Sequence, residues 1–162
     1  MTVTGNDPAV FHLAELNIAR LHQPLDAPDN AEFVAALDAV NMIAERTPGF
    51  VWRLQDEDGA SSSYVTAYDD PLLIINLTVW QDIESLRHFT YRSGHGAYLR
   101  RRREWFEAPT APHMVCWWVP AGEAPTVADA TRRLELLRAT GPSADGFLFN
   151  DPLPAPSGAV QS

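Results

Sequence analysis

Residues 72–80, Leu-Leu-Ile-Ile-Asn-Leu-Thr-Val-Trp, alternate with period two. Leu73, Ile75, Leu77 and Val79 fall on one face, and Ile74, Asn76, Thr78 and Trp80 on the other, which predicts a β-strand. Residues 9–19 read as an earlier strand, with Phe11, Leu13, Leu16 and Ile18 supplying apolar positions to both faces. Residues 50–55 and 113–119 read as two more. Phe33, Leu37, Val40 and Ala44 recur at helical spacing, predicting a helix capped by Asp29 or Asn30, running to Arg46 and closed by Pro48-Gly49. Asp82 opens a second helix that reaches about Tyr91. Ser93-Gly94 interrupts it, and a further helix is expected over 95–106. Pro125-Thr126 opens a last helix through Arg138, stopped by Gly141-Pro142, and residues 147–149 form a short fifth strand. The stretches 20–30 and 56–63 are polar loops.

The resulting order is β-α-β-β-α-β followed by an added C-terminal helix. That order is an α+β, ferredoxin-like split β-α-β sandwich. Residues 1–8 form a loose lead, 9–151 a single domain, and 152–162 a Pro-rich, disordered tail. Four strands with helices on one face leave the other face open. Because both faces are apolar here, a second copy of the chain is expected to cover it, giving a homodimer.

The 162 residues are enough for one domain with a real core, and 46% hydrophobic with 20% charged residues is the composition of a globular protein. No apolar run approaches the roughly 20 residues that span a bilayer. Residues 1–10 lack the basic start and apolar stretch of a signal peptide, so a cytoplasmic location is expected. The net charge of −9 argues against nucleic acid and anionic membranes as partners. All twelve cations are Arg, and without Lys there is no Schiff-base chemistry. Cys116 is the only cysteine, which excludes an intrachain disulfide and a thiolate metal cluster. It sits in an apolar strand, where a free thiol behaves as a small hydrophobe.

The chain carries no phosphate loop, serine-nucleophile elbow or zinc-protease motif. Its candidate chemistry lies elsewhere. His95, in Ser93-Gly94-His95-Gly96, has small neighbours and an imidazole that exchanges protons near neutrality; its alternative role is a capping or core His. His88 lies seven residues earlier, about 10 Å along a straight helix, too far to share a metal with His95 unless the Gly-rich break bends the chain sharply. No metal site and no cofactor are expected. Asn76 is an amide in mid-strand, suited to steadying an enolate or to tying a loop to the sheet. Asn17 and Asn41 read as structural amides, Asn17 with a second role in ligand contact.

Trp52, Trp80 and Trp105 offer flat apolar surface to an aromatic ligand, or else act as core or interface anchors. Tyr91 either donates a proton or packs. Within Arg100–Arg103, successive side chains fan about 100° apart, so they make no flat patch and pair with Glu104 and Glu107. Arg102, seven residues after His95, shares its face on a continuous helix and is placed to meet an anionic substrate. Glu15 and His12 point to opposite faces of the first strand and make no acid–base pair.

The strings NIARLHQPLD, NMIAERTPGFVWRL, NLTVWQDIESLRHFTYRSGHGAYLRRRREWF, WWVPAGEAPT and LLRATGPSADGFLF together resemble a bacterial family labelled a domain of unknown function. That family is similar to the dimeric α+β barrel superfamily, whose members include the antibiotic-biosynthesis monooxygenases. The resemblance covers residues 10–151. It implies a dimeric α+β barrel and a choice among cofactor-free oxygenases, isomerases, polyketide cyclases, haem proteins and proteins without chemistry, a choice that fold alone does not make.

The expectation is a small-molecule enzyme of secondary metabolism, a cofactor-independent monooxygenase or a cyclase/isomerase. It acts on an aromatic or polyketide-like substrate. His95 moves the proton, Asn76 and Arg102 steady the oxyanion, and Trp80, Tyr91, Trp105, Asn17 and Trp52 hold the ligand. Two alternatives are a haem protein with His88 or His95 as axial ligand and a non-catalytic ligand-binding dimer.

Overall fold

The computed structural model describes residues 10–55, 68, 70–92, 100–156 and 160–161. The lead at 1–8, the loop at 56–63, the Ser93-Gly94 break and His95 lie outside the described residues. The chain folds as a mixed α+β structure around a four-stranded antiparallel sheet.

Strand β1 (Val10–Arg20) is its centre. The chain then passes through a 3-10 turn at Pro28–Asn30 into α1 (Ala31–Arg46), β2 (Phe50–Arg53), β3 (Leu73–Trp80) and α2 (Ile83–Arg92). A four-residue helix, α3 (Arg102–Trp105), precedes β4 (Met114–Pro120), α4 (Val127–Thr140) and the two-residue β5 (Val160–Gln161). The strand order is β2-β3-β1-β4, with β5 pairing parallel to the start of β1. The register sets Glu15 between Thr78 and Cys116, and Asn17 between Asn76 and Met114.

Alternation along β1 sorts the core into two layers. Ala14, Leu16 and Ile18 face Leu77, Val115 and Trp117 and are covered by Ala130, Leu134 and Leu137 of α4. Leu13, on the opposite face, packs with Trp80, Cys116 and Phe147 beneath Ala44 of α1 and Leu86 and Phe89 of α2. The added C-terminal helix therefore covers the face that a second copy was expected to cover. Leu16, Leu77 and Val115 there are completely buried within one chain, so an open sheet face gives no reason for a dimer. The periodicity of 127–140 announces the helix, but the face it docks on depends on the path of the chain.

Several local expectations are met in changed form. Asn30 stands at the start of α1, but its side chain donates to the carbonyls of Gln23 and Pro24 at 2.9 and 2.8 Å. It fastens the preceding loop and leaves the helix without a side-chain cap. Asp82 does cap α2, accepting from the Ser85 amide at 2.8 Å and the Ser85 hydroxyl at 2.7 Å. Thr126 caps α4 through the Asp129 amide at 3.1 Å.

Gly49 has φ +91°, and a Cβ placed on it would lie 1.9 Å from Ser85 Oγ. Only glycine allows this turn and this approach of the α1–β2 turn to α2. Residues 147–149 do not form a strand of the main sheet. Phe147 makes a single bridge to Cys116, with mutual backbone bonds of 2.8 and 2.9 Å along the edge of β4. The Pro-rich stretch that composition assigns to a disordered tail makes specific contacts, since the Leu153 carbonyl accepts from Trp118 Nε1 at 2.9 Å. No helix among the described residues is long and apolar enough to cross a membrane.

Candidate functional site

The middle of β1 carries a carboxylate where the pattern calls for an apolar side chain. Glu15 is 2% exposed. It accepts from Thr78 Oγ1 at 2.8 Å and from the Asn17 amide. Thr78 Oγ1 in turn accepts from Trp80 Nε1 at 2.9 Å. The result is a relay from indole to hydroxyl to carboxyl across two adjacent strands. It lies on the sheet face toward α1 and α2, with Cys116 paired opposite Glu15 on β4.

Burial raises the Glu15 pKa from its ordinary 4.5 to about 7; the bonds from Asn17 and Thr78 pull the other way and only partly offset it. A carboxyl so placed holds or releases a proton at neutral pH. Burial, and then Glu15, push the Cys116 thiol well above its ordinary value, so that sulfur is no nucleophile.

Three of the expected site residues meet here. Asn17 bonds Glu15 directly, Asn76 is the register partner of Asn17, and Trp80 anchors the relay. Trp80 does so from the core, with no exposed surface, set edge-on to Phe50 at 5.5 Å and stacked on Phe89 at 5.0 Å. Its ring is therefore packed by protein. The other expected residues scatter. Trp52 packs against the α4-side cluster, on the opposite face of the sheet. Trp105 is 3% exposed and packs 5.4 Å from Phe33, under the Arg101 guanidinium at 4.8 Å. Tyr91 is 60% exposed and lies 6.0 Å from Phe149. His88 is exposed on α2. Asn41 buries its amide nitrogen without a hydrogen-bond partner among the described residues.

Arg102 also departs from expectation. The continuous helix over 95–106 is interrupted by a turn at Arg101, and α3 begins afresh at Arg102. His95, whose face Arg102 was expected to share, lies outside the described residues. The carboxylates pair differently too. Arg101 reaches Glu104 at 2.7 Å and also Glu32, while Arg20 takes Glu107 at 2.7 Å.

Arg102 instead lines a cleft of about 410 Å³ at the far end of β1, with Ile18, Leu73, Phe106, His113 and Arg138 among its walls. Partial burial first, then Arg102 and Arg138, hold the His113 imidazole below its ordinary pKa.

Glu15 is the residue that sequence reasoning passed over. The available signal was an acidic side chain inside a strand with apolar residues on both faces, where neither direction leads to water.

No curated protein matches the chain's sequence. Among solved structures, it is similar to a protein of unknown function from Nitrosomonas europaea, with 12% identity and a TM-score of 0.47 over 73% of this chain and 98% of that one. It is also similar to a protein from Pseudomonas aeruginosa, with 15% identity and a TM-score of 0.43 over 74% of this chain and 100% of that one. A family model described as a domain of unknown function, DUF3291, matches residues 12–162, and the chain belongs to that family.

Proposed function

We propose that the protein is a small-molecule enzyme that moves a proton at the sheet face carrying Glu15. The observation that supports this reading is the buried relay itself: a carboxyl near neutrality, bonded to Thr78 and Asn17, beside Asn76. Strongly perturbed acids of this kind concentrate where proton transfer is needed. For the reaction the substrate must gain entry to the face that α1 and α2 cover; there Glu15 accepts a proton from an acidic C–H or phenol of the substrate, and the electron pair stays on the substrate as an enolate or phenolate. The Asn76 amide is the donor suited to steadying that anion.

Cofactor-independent oxygenation, cyclisation or isomerisation of an aromatic or polyketide-like substrate each passes through such an anion, and these are the reaction classes we assign to the site. The strand order β2-β3-β1-β4 supports reading the fold as ferredoxin-like. A kinship with the dimeric α+β barrel proteins and the antibiotic-biosynthesis monooxygenases belongs to the same proposal.

The test is a thermal-shift screen of phenols and polyketide-like ketones, followed by oxygen uptake and solvent deuterium exchange on the hits. Glu15→Gln is expected to abolish exchange and turnover while keeping the fold. Unchanged exchange in Glu15→Gln would overturn the assignment.

A further inference from the structure

The cleft lies beyond the relay, at the C-terminal end of β1, with Ile18, Ala19 and Arg20 among its walls. Glu15 and Arg20 are five residues apart on the strand, roughly 17 Å at 3.3 Å per residue. Four of the chain's twelve Arg line the cleft: Arg20, Arg102, Arg103 and Arg138. This concentration of positive charge stands against a net charge of −9 for the whole chain.

Two of the four are already committed. Arg20 pairs with Asp70 at 3.0 Å and Glu107 at 2.7 Å, and Arg138 pairs with Glu135 at 3.0 Å while donating to the Pro112 carbonyl at 2.7 Å. Arg102 and Arg103 make no ion pair among the described residues, and both face the same opening. His113 lines the same cleft, within electrostatic reach of both Arg102 and Arg138. The remaining walls are mostly apolar, with Ile18, Ala19 and Leu73 from the sheet and Phe106, Ala108 and Pro109 from the segment that crosses its end; Thr110 and the Glu107 carboxylate, paired with Arg20, complete the lining.

An uncommitted guanidinium beside an apolar wall fits an amphiphilic anion better than a fully hydrated one. A guanidinium takes a carboxylate through two parallel hydrogen bonds, and the carbon body then replaces water on the wall. The volume of about 410 Å³ is within the range of small-molecule sites. We propose that this cleft binds a small organic carboxylate, its anion held by Arg102 and its apolar body seated against Ile18, Leu73 and Phe106. The site is independent of the Glu15 relay.

Binding would place negative charge beside the guanidiniums that act on His113 and so ease protonation of its ring. The groups facing that ring are Arg102 from α3 and Arg138 from α4, the latter already paired with Glu135; Glu107 across the cleft is held by Arg20. Carboxylate uptake is therefore coupled to proton uptake by His113.

Calorimetry on the whole protein with benzoate, 1-naphthoate, benzyl alcohol and inorganic phosphate tests the proposal. Saturable one-to-one binding of the aromatic carboxylates is expected, stronger than that of phosphate or the alcohol. Arg102→Gln, a surface change, should weaken it about tenfold, the value of one charge-assisted contact. The His113 ring signals should titrate at higher pH in the saturated protein. Glu15→Gln should bind as the wild type does, so failure of the relay and failure of the cleft are told apart. Equal affinity in Arg102→Gln, equal binding of benzyl alcohol or phosphate, or no binding of any carboxylate would overturn the proposal.

Discussion

Glu15→Gln separates the electrostatics of the relay from its packing, because it keeps the shape of the side chain and removes the charge. In the folded chain the carboxyl titrates near 7 because it is buried, against an ordinary 4.5. Folding therefore favours the protonated form. The stabilisation from that proton is fully present below pH 4.5, shrinks as the unfolded chain ionises more readily than the folded one, and is gone above about pH 7. At 1.36 kcal/mol per pKa unit, the difference amounts to about 3 kcal/mol of stability that the wild type loses on going from acid to neutral pH.

The amide variant has no proton to lose and should be flat through this window. Its remaining oxygen can still accept from Asn17, but its NH2 group takes the place of the oxygen that faces the Thr78 hydroxyl, so Thr78 must find another acceptor, at a cost of about 1 kcal/mol. At pH 8 the variant should still be the more stable protein, by about 2 kcal/mol. His113 acts in the opposite sense. Its folded value is lowered, so it adds stability as pH rises toward 6.5, and it does so equally in both proteins. Urea denaturation at pH 5.0, 6.5 and 8.0, followed by tryptophan fluorescence, gives the comparison. Parallel pH dependences of wild type and variant would refute the argument that burial controls this carboxyl.

Further expectations concern the frame that holds the relay. Gly49→Ala should cost several kcal/mol, because the left-handed backbone is strained and the new Cβ meets Ser85 Oγ; a double variant with Ser85→Gly should recover part of the loss in the same denaturation assay. Leu134→Ala removes a completely buried side chain of α4 and should cost about 2–5 kcal/mol, with increased dye binding to the uncovered sheet face. Thr126→Ala should cost about 1 kcal/mol through the lost cap of α4. Cys116, buried and with its thiol pushed up, should resist iodoacetamide in native buffer and react once the chain is unfolded.

What the sequence reveals about this fold follows the range of the forces involved. The strand at Leu73–Trp80 and the caps at Asp82 and Thr126 are legible because alternation and capping are set by neighbours in the chain. The role of Asn30 is not, because its amide chooses the loop carbonyls of Gln23 and Pro24 over the helix it begins. The turn at Arg101, where α3 begins afresh, is equally invisible in a run of four arginines.

The candidate site was legible in part. Asn17, Asn76 and Trp80 share one face, as their register requires. For Glu15 the sequence yields only its face, opposite to that of His12. Its significance depends on α1 and α2 covering that side while α4 covers the other. No local pattern in the first strand states this.

The central claim is that a proton resides on Glu15 near neutral pH inside the sheet. Carbon-13 NMR of the Glu side-chain carboxyl signals across pH 3–9, with Glu15 assigned from the Glu15→Gln spectrum, tests it directly. A signal titrating with a midpoint near 7, separate from the bulk of the glutamates, is the predicted result. A Glu15 signal that titrates with the other glutamates near 4.5 would contradict the account.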